Sequence, residues 1–312
     1  MVKNLLTDAL LKYSSSSIMV GNLALTKWRE FLQNWQQKNM LMLAATSLGG
    51  WALFTGISGG TAQAQVQISP MVIQAEANQR PAEGVIYVKN MTNEPFRARV
   101  YVQPFTYDRD AGFQSLQSSP TDLSPYLQFS PGELTILPGA TRRIRLISQL
   151  PPNLPDGEYR VVIFTENLKE INSTDINGNA ISIRGKVGST FYVRKGNVSP
   201  RLTVDSAQLN TTAKKIQLLV KNTGTASALP TANWTLKREG KIIRSGQIPP
   251  TAIVAQSDRN FLINLVAPDQ PEITPGEYEL TGELVWSEKS QSQTVPFNLN
   301  LAIPQTAATA LR

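Results

Sequence analysis

Few side chains in this sequence are suited to chemistry. Asp108, Asp110, Glu166, Glu170 and Asp175 lie in or beside turn-rich segments, and carboxylates of that kind can act as general acids, general bases or hard-cation ligands. The 312-residue chain contains no cysteine and no histidine. Their absence removes disulfides, thiolate zinc sites and cysteine nucleophiles, along with the commonest general base and the commonest metal ligand. Asp108-Arg-Asp110 lacks the Gly at position six and the Glu at position twelve of a calcium loop. No glycine-rich phosphate loop or nucleophile elbow occurs. The five carboxylates therefore read as solvated turn residues. The chain reads as non-enzymatic, with no catalytic residue, no metal site and no cofactor.

Charge points the same way. The formal net charge is +7, but residues 1–64 carry five basic and two acidic groups, leaving 25 basic against 21 acidic residues beyond them. An excess of four charges spread along some 250 residues without clustering is a solvated surface, not a nucleic-acid patch. Apolar residues make up 41% and charged residues 17%, with Gly and Pro at 20 each. That mixture supports ordinary globular cores joined by many turns.

The first 64 residues read as an address. No charged residue occurs between Lys38 and Glu76, and that gap holds the apolar run 40–57, preceded by Lys27, Arg29 and Lys38. Thr61-Ala-Gln-Ala64 follows, with small residues at Ala62 and Ala64. Basic flank, apolar centre and small-residue exit in that order spell a secretory signal, cleaved after Ala64. The basic region is long for a signal, which makes Met19 an alternative start. The apolar run is also close to the roughly 18 residues that span a bilayer, so an uncleaved anchor is the alternative fate. In both cases the rest of the chain is carried across the membrane, and this segment is its sole membrane contact.

From Val66 onward the hydrophobic period is two. Ala98, Val100 and Val102 alternate with Arg97, Arg99 and Tyr101. Ile144 and Leu146 alternate with Arg143 and Arg145, and Ile181 and Ile183 with Ser182 and Arg184. One face of each strand is buried and the other wet, with Pro-Gly, Asn-Thr and Asp-Gly turns between them. Trp234 and Trp286 lie within such patterns and are expected in the core. An internal echo suggests two related units: Val88-Lys-Asn90-Met-Thr92 recurs as Val220-Lys-Asn222-Thr-Gly224, and Gly-Glu-Tyr159 as Gly-Glu-Tyr278. Each tyrosine is placed as the corner residue of a Greek-key sandwich. The fold class is all-β, two tandem immunoglobulin-like β-sandwiches at 65–195 and 199–303. Arg194–Pro200 is the linker and 304–312 a tail.

Tyr126-Leu-Gln-Phe-Ser-Pro131 and Ile136-Leu-Pro-Gly-Ala-Thr-Arg-Arg-Ile-Arg-Leu-Ile-Ser148 resemble the PapD-type periplasmic pilus-assembly chaperones. Pro138, Gly139, Ile144, Arg145 and Leu146 carry the match. Gln67–Ile73, Val85–Asn90 and Glu158–Phe164 stand where that family's first, second and sixth strands belong. The resemblance implies a periplasmic chaperone that lends a strand to an incomplete exported pilus or surface subunit. Main-chain hydrogen bonds and alternate apolar side chains would hold that subunit. The lending strand would be Ala180–Arg194, with Ile181, Ile183 and Val187 on its client face; the alternative is that they pack the chain's own core. The family's two basic anchors for a client carboxylate fall on Val72 and on Ser189 or Thr190, none of which is charged. Arg184, Lys186 and Arg194 are the candidate substitutes. Self-association through the same edge is a further use. The competing function is a structural or adhesive surface module, which predicts a covered strand 180–193.

Overall fold

The computed structural model describes residues 65–77, 80–174, 180–265 and 273–304. The signal or anchor at 1–64, Asp175 and all of the tail after Pro304 lie outside the described residues. No described helix is long and apolar enough to cross a membrane.

The first sandwich begins with β1 (Val66–Ser69), β2 (Val72–Glu76), β3 (Ala82–Asn90) and β4 (Phe96–Gln103). A small hairpin, β5 (Phe105–Asp108) and β6 (Gly112–Ser115), interrupts the series. Then come β7 (Leu127–Ser130), β8 (Glu133–Ile136), β9 (Thr141–Ser148) and the long β10 (Gly157–Asn167). A ribbon of β11 (Ile171–Thr174) and β12 (Ala180–Ile183) follows, and β13 (Lys186–Lys195) returns beside β10. One sheet has the order β1-β3-β9-β7 and the other β2-β13-β10-β4-β8. The chain changes sheets between β1 and β2 at Pro70, where the Ser69–Pro70 bond is cis. The expected Pro138-Gly139 turn leads into β9, and Gly139 takes φ 69°, a region where a Cβ is costly.

The second sandwich contains β14 (Leu202–Asn210), β15 (Lys215–Asn222), β16 (Thr231–Arg238) and β17 (Lys241–Ile248). It is completed by β18 (Ser257–Asn264), β19 (Gly276–Glu288) and β20 (Gln291–Ile303). Its sheets are β14-β15-β18 and β17-β16-β19-β20. Trp234 and Trp286 are both buried in its core, as their strand patterns predict.

Most strands bury one face. In β4, Phe96, Ala98 and Val100 are buried while Arg97 and Arg99 are exposed. The run Glu158–Phe164 in β10 departs from this, being buried on both faces. Tyr159, Val161 and Ile163 enter the first sandwich's core, whereas Val162 and Phe164 join a separate cluster with Phe105, Tyr192 and, from the second sandwich, Val254. A strand covered on both sides reads as a continuous apolar run. The outer cover here is the β5–β6 hairpin and the second sandwich.

The sequence echo has a structural counterpart. Asn90 and Asn222 end β3 and β15, both buried. Asn90 donates to the Ile136 carbonyl at 3.0 Å and accepts from the Thr92 amide at 2.9 Å. Asn222 donates to the Ala226 carbonyl at 2.8 Å and accepts from the Gly224 amide at 3.0 Å. Each asparagine ties a strand end to the loop that follows, satisfying backbone groups the ladder has left behind.

Candidate functional site

The site is the edge of the sheet formed by β13, and its geometry follows from a mismatch in length. β13 has ten residues and β2 only five. β2 runs parallel to β13 and pairs Val72 with Thr190 through to Glu76 with Arg194. The Thr190 amide donates to the Met71 carbonyl at 2.9 Å, and the Ser189 hydroxyl donates to the Pro70 carbonyl at 3.1 Å. Beyond Pro70 the chain has left this sheet. Among the described residues no strand covers Lys186–Ser189 on that side, and β12 pairs only with β11. Strand 180–193 is therefore covered over its second part and open over its first.

The open arm is continuous. Asn167 bonds to the Gly185 carbonyl at 2.9 Å, and Ile171 then pairs with Ile183. Four residues forward on one arm answer two back on the other, so the extra residues form a bulge around Leu168–Glu170. The bulge lies on the opposite arm, so the alternation of 180–195 is not broken.

The three client-face residues are placed differently from one another. Ile183 and Ile181 pair with Ile171 and Ser173 in the β11–β12 ribbon. Val187 is half-buried against the first sandwich's own core, on the same side as the fully buried Phe191 and Val193. Contrary to the client-face expectation, Val187 closes the rim of its own domain.

The candidate cations also diverge. Arg184 is paired with Glu170 at the exposed neck of the ribbon. Lys186 rests its ammonium 4.5 Å from the centre of the Phe164 ring. Arg194, expected as a possible carboxylate anchor, is instead committed within the protein. Its guanidinium reaches Glu158 at 3.2 Å, Glu288 at 2.8 Å and the Ser227 carbonyl at 2.7 Å. The Glu158 carboxylate accepts in turn from the Ser227 amide at 2.9 Å and from the Ser227 hydroxyl. Its side chain is 0% exposed and that of Arg194 9%. This charged knot joins β10 and β13 to β19 and the Ser227 loop, and all three guanidinium nitrogens of Arg194 are engaged within it.

A second tie joins the sandwiches through the β5–β6 hairpin. Arg109 grips Asp258 with two donors, one at 2.7 Å, and holds that carboxyl below its ordinary range. Asn260 donates its side-chain amide to Asp110 at 2.7 Å and its backbone amide to the Arg109 carbonyl at 3.0 Å. Arg259 lies 4.6 Å from the centre of the Tyr107 ring. Asp108 shapes the turn by accepting from the Asp110 and Ala111 amides. Glu166 is paired with Arg99 at 2.5 Å. Each acidic candidate within the described residues thus has a structural partner. No described cluster of three acidic side chains could hold a metal.

Where β2 begins, the anchor positions Val72 and Thr190 face each other beside an apolar hollow of about 290 Å³. Met71, Phe113, Phe164 and Gly188 complete the part of it that opens along β13. Nearby, Tyr192 is fully buried, and burial pushes its hydroxyl well above the ordinary range, reinforced by Tyr107 and Glu158. Sequence reasoning missed both the hollow and the charged knot. The unbroken apolar run of β10 was the one signal that its outer face is covered.

No family model matches this chain, and no curated protein matches it. Among solved structures, the YadV chaperone is similar over 76% of this chain and 100% of its own, at 12% identity and a TM-score of 0.44. Each of the solved structures named here is a chaperone or a complex that contains one. The Pseudomonas aeruginosa CupB2 chaperone matches 75% of this chain and 100% of its own, at 13% identity and a TM-score of 0.41. The CsuC–CsuE chaperone–tip adhesion subunit complex of Acinetobacter baumannii supplies another, at 16% identity, 75% and 98% coverage, and a TM-score of 0.43.

Proposed function

We propose that this chain is a non-enzymatic periplasmic chaperone that holds an exported pilus or surface subunit by β-strand addition along Ala180–Ser189. The observation that carries this reading is the early end of β2: it pairs with β13 from Thr190 onward, and among the described residues no strand covers that edge of Lys186–Ser189. Strands that expose such a row normally carry protection, because the row is a template for another chain. Here the open arm adjoins a domain pair tied together at Arg194 and Arg109, a rigid base from which a strand can be offered. Strand addition needs no cofactor, which fits the structural roles of the carboxylates. A structural or adhesive module is the second reading, favoured by the packing of Val187 into its own core.

The test is affinity capture from envelope extracts with the exported chain, intact or carrying Ile181→Asp and Ile183→Asp together. The chaperone reading predicts a specific exported partner that the folded double variant loses. Equal recovery by both proteins hands the function to the surface module.

A further inference from the structure

The hollow at the head of the open edge has the position and lining of a selectivity site. Side chains two residues apart share a face of a strand, so Lys186, Gly188 and Thr190 look out on the same side as Glu166, Phe164 and Val162, their partners on β10. Val72 fills the slot opposite Thr190. The next same-face slot lies opposite Gly188, and no residue of β2 fills it because the chain turns away at Pro70. Gly188 keeps that slot open: a Cβ there would stand 2.7 Å from Val162 Cγ2 and 3.0 Å from Phe164 Cε1. The slot opens on the apolar hollow, and two of its walls, Met71 and Phe113, are large apolar side chains left 49% and 38% exposed.

Charge narrows the occupant further. Lys186 lies over Phe164 at the mouth of the slot. Its cross-strand neighbour Glu166 is taken by Arg99, and Lys186 has no acidic partner among the described residues.

We propose that this hollow is a specificity socket for one large apolar side chain of the added strand, aromatic or long aliphatic. An acidic residue two positions away on that strand pairs with Lys186. The inference rests on the strand-addition reading and adds the chemistry by which a partner is chosen. A strand with Lys or Ala at the socket position loses the apolar burial, and one with Lys at the neighbouring same-face position meets a like charge.

The test uses the full chain and synthetic ten-residue peptides of alternating Thr and Val. One central position is Phe, with Glu two residues before it. Binding is read by fluorescence anisotropy. Changing Phe to Ala is expected to weaken binding about tenfold, and Phe113→Asp or Met71→Asp in the protein is expected to abolish the difference between the two peptides. Lys186→Glu is expected to reverse the preference from the Glu peptide to its Lys counterpart. Both walls are partly exposed, so either variant can be checked for folding by circular dichroism. Equal binding by all peptides, unchanged by these variants, overturns the socket while leaving strand addition standing. Failure of every peptide to bind overturns both.

Discussion

Val72 and Thr190 stand opposite each other in the parallel β2–β13 ladder, and the Thr190 amide bonds to the carbonyl of Met71, the residue before Val72. This pair marks where the sheet's edge passes from covered to open. It also marks the apolar hollow. Val72→Arg would place a guanidinium among Phe113, Phe164 and Met71 with no acid to meet it. The expected cost is at least about 1–3 kcal/mol of stability, the range for an unpaired neutral polar group moved out of water, which a charge exceeds. Urea denaturation measures it.

The Arg194–Glu158–Glu288 knot should behave as a buried ion network. Arg194→Met leaves the Glu158 carboxylate, 0% exposed, with Ser227 as its hydrogen-bond donor among the described residues and Arg160 acting on it through charge alone. Breaking one partner of such a pair costs about 3–5 kcal/mol. Restoring an apolar match with Glu158→Leu and Glu288→Leu in the same protein is expected to recover much of the loss. Chemical denaturation of the three proteins provides the comparison.

The tyrosine corners are symmetric between the two sandwiches. The Tyr159 hydroxyl donates to the Pro155 carbonyl at 2.9 Å, and that of Tyr278 to the Thr274 carbonyl at 2.8 Å. Each Tyr→Phe substitution is expected to cost about 1 kcal/mol, the net worth of one hydrogen bond. Differential scanning calorimetry should show the two losses adding, since they lie in separate cores.

Acid should loosen the hairpin tie. Asp258 is held below its ordinary value of 3.8 by Arg109 in the folded chain. A depressed carboxylate contributes stability that is fully present above its unfolded pKa and is lost as pH falls through the folded one. The loss is therefore expected below about pH 4 and should shrink in high salt, because the pair is partly solvated. Asp258→Asn should remove this part of the acid dependence. Thermal melts between pH 3 and 7 in both proteins measure it.

Much of the fold was legible because its signals are local. The alternation in β4 and β9, the Pro138-Gly139 turn and the Gly-Glu-Tyr corners depend on neighbours a few residues away. The Asn90 and Asn222 echo was visible as spelling, and its cause is a shared way of ending a strand. The site was less legible because its members meet only in three dimensions. Arg194 looks like any solvated strand residue until Glu158, 36 positions earlier, and Glu288, 94 later, close around it. Arg109 and Asp110 were read as turn residues because the sequence does not announce that the hairpin lies against β18. The family resemblance singled out strand 180–194, but how much of it β2 covers depends on where the chain turns at Pro70.

Lys186–Ser189 pair with β10 on one side, and strand addition would pair their other edge, which no described strand covers. Alternation from Thr190, whose amide points to β2, directs the Lys186 and Gly188 amides to the uncovered side. Amide hydrogen exchange resolved to single residues tests this directly. The account predicts fast exchange at Lys186 and Gly188 beside slow exchange at Thr190 in the free protein, with both fast amides slowed when an exported partner is bound. Slow exchange at Lys186 and Gly188 in the free protein, or rates unchanged by the partner, would contradict it.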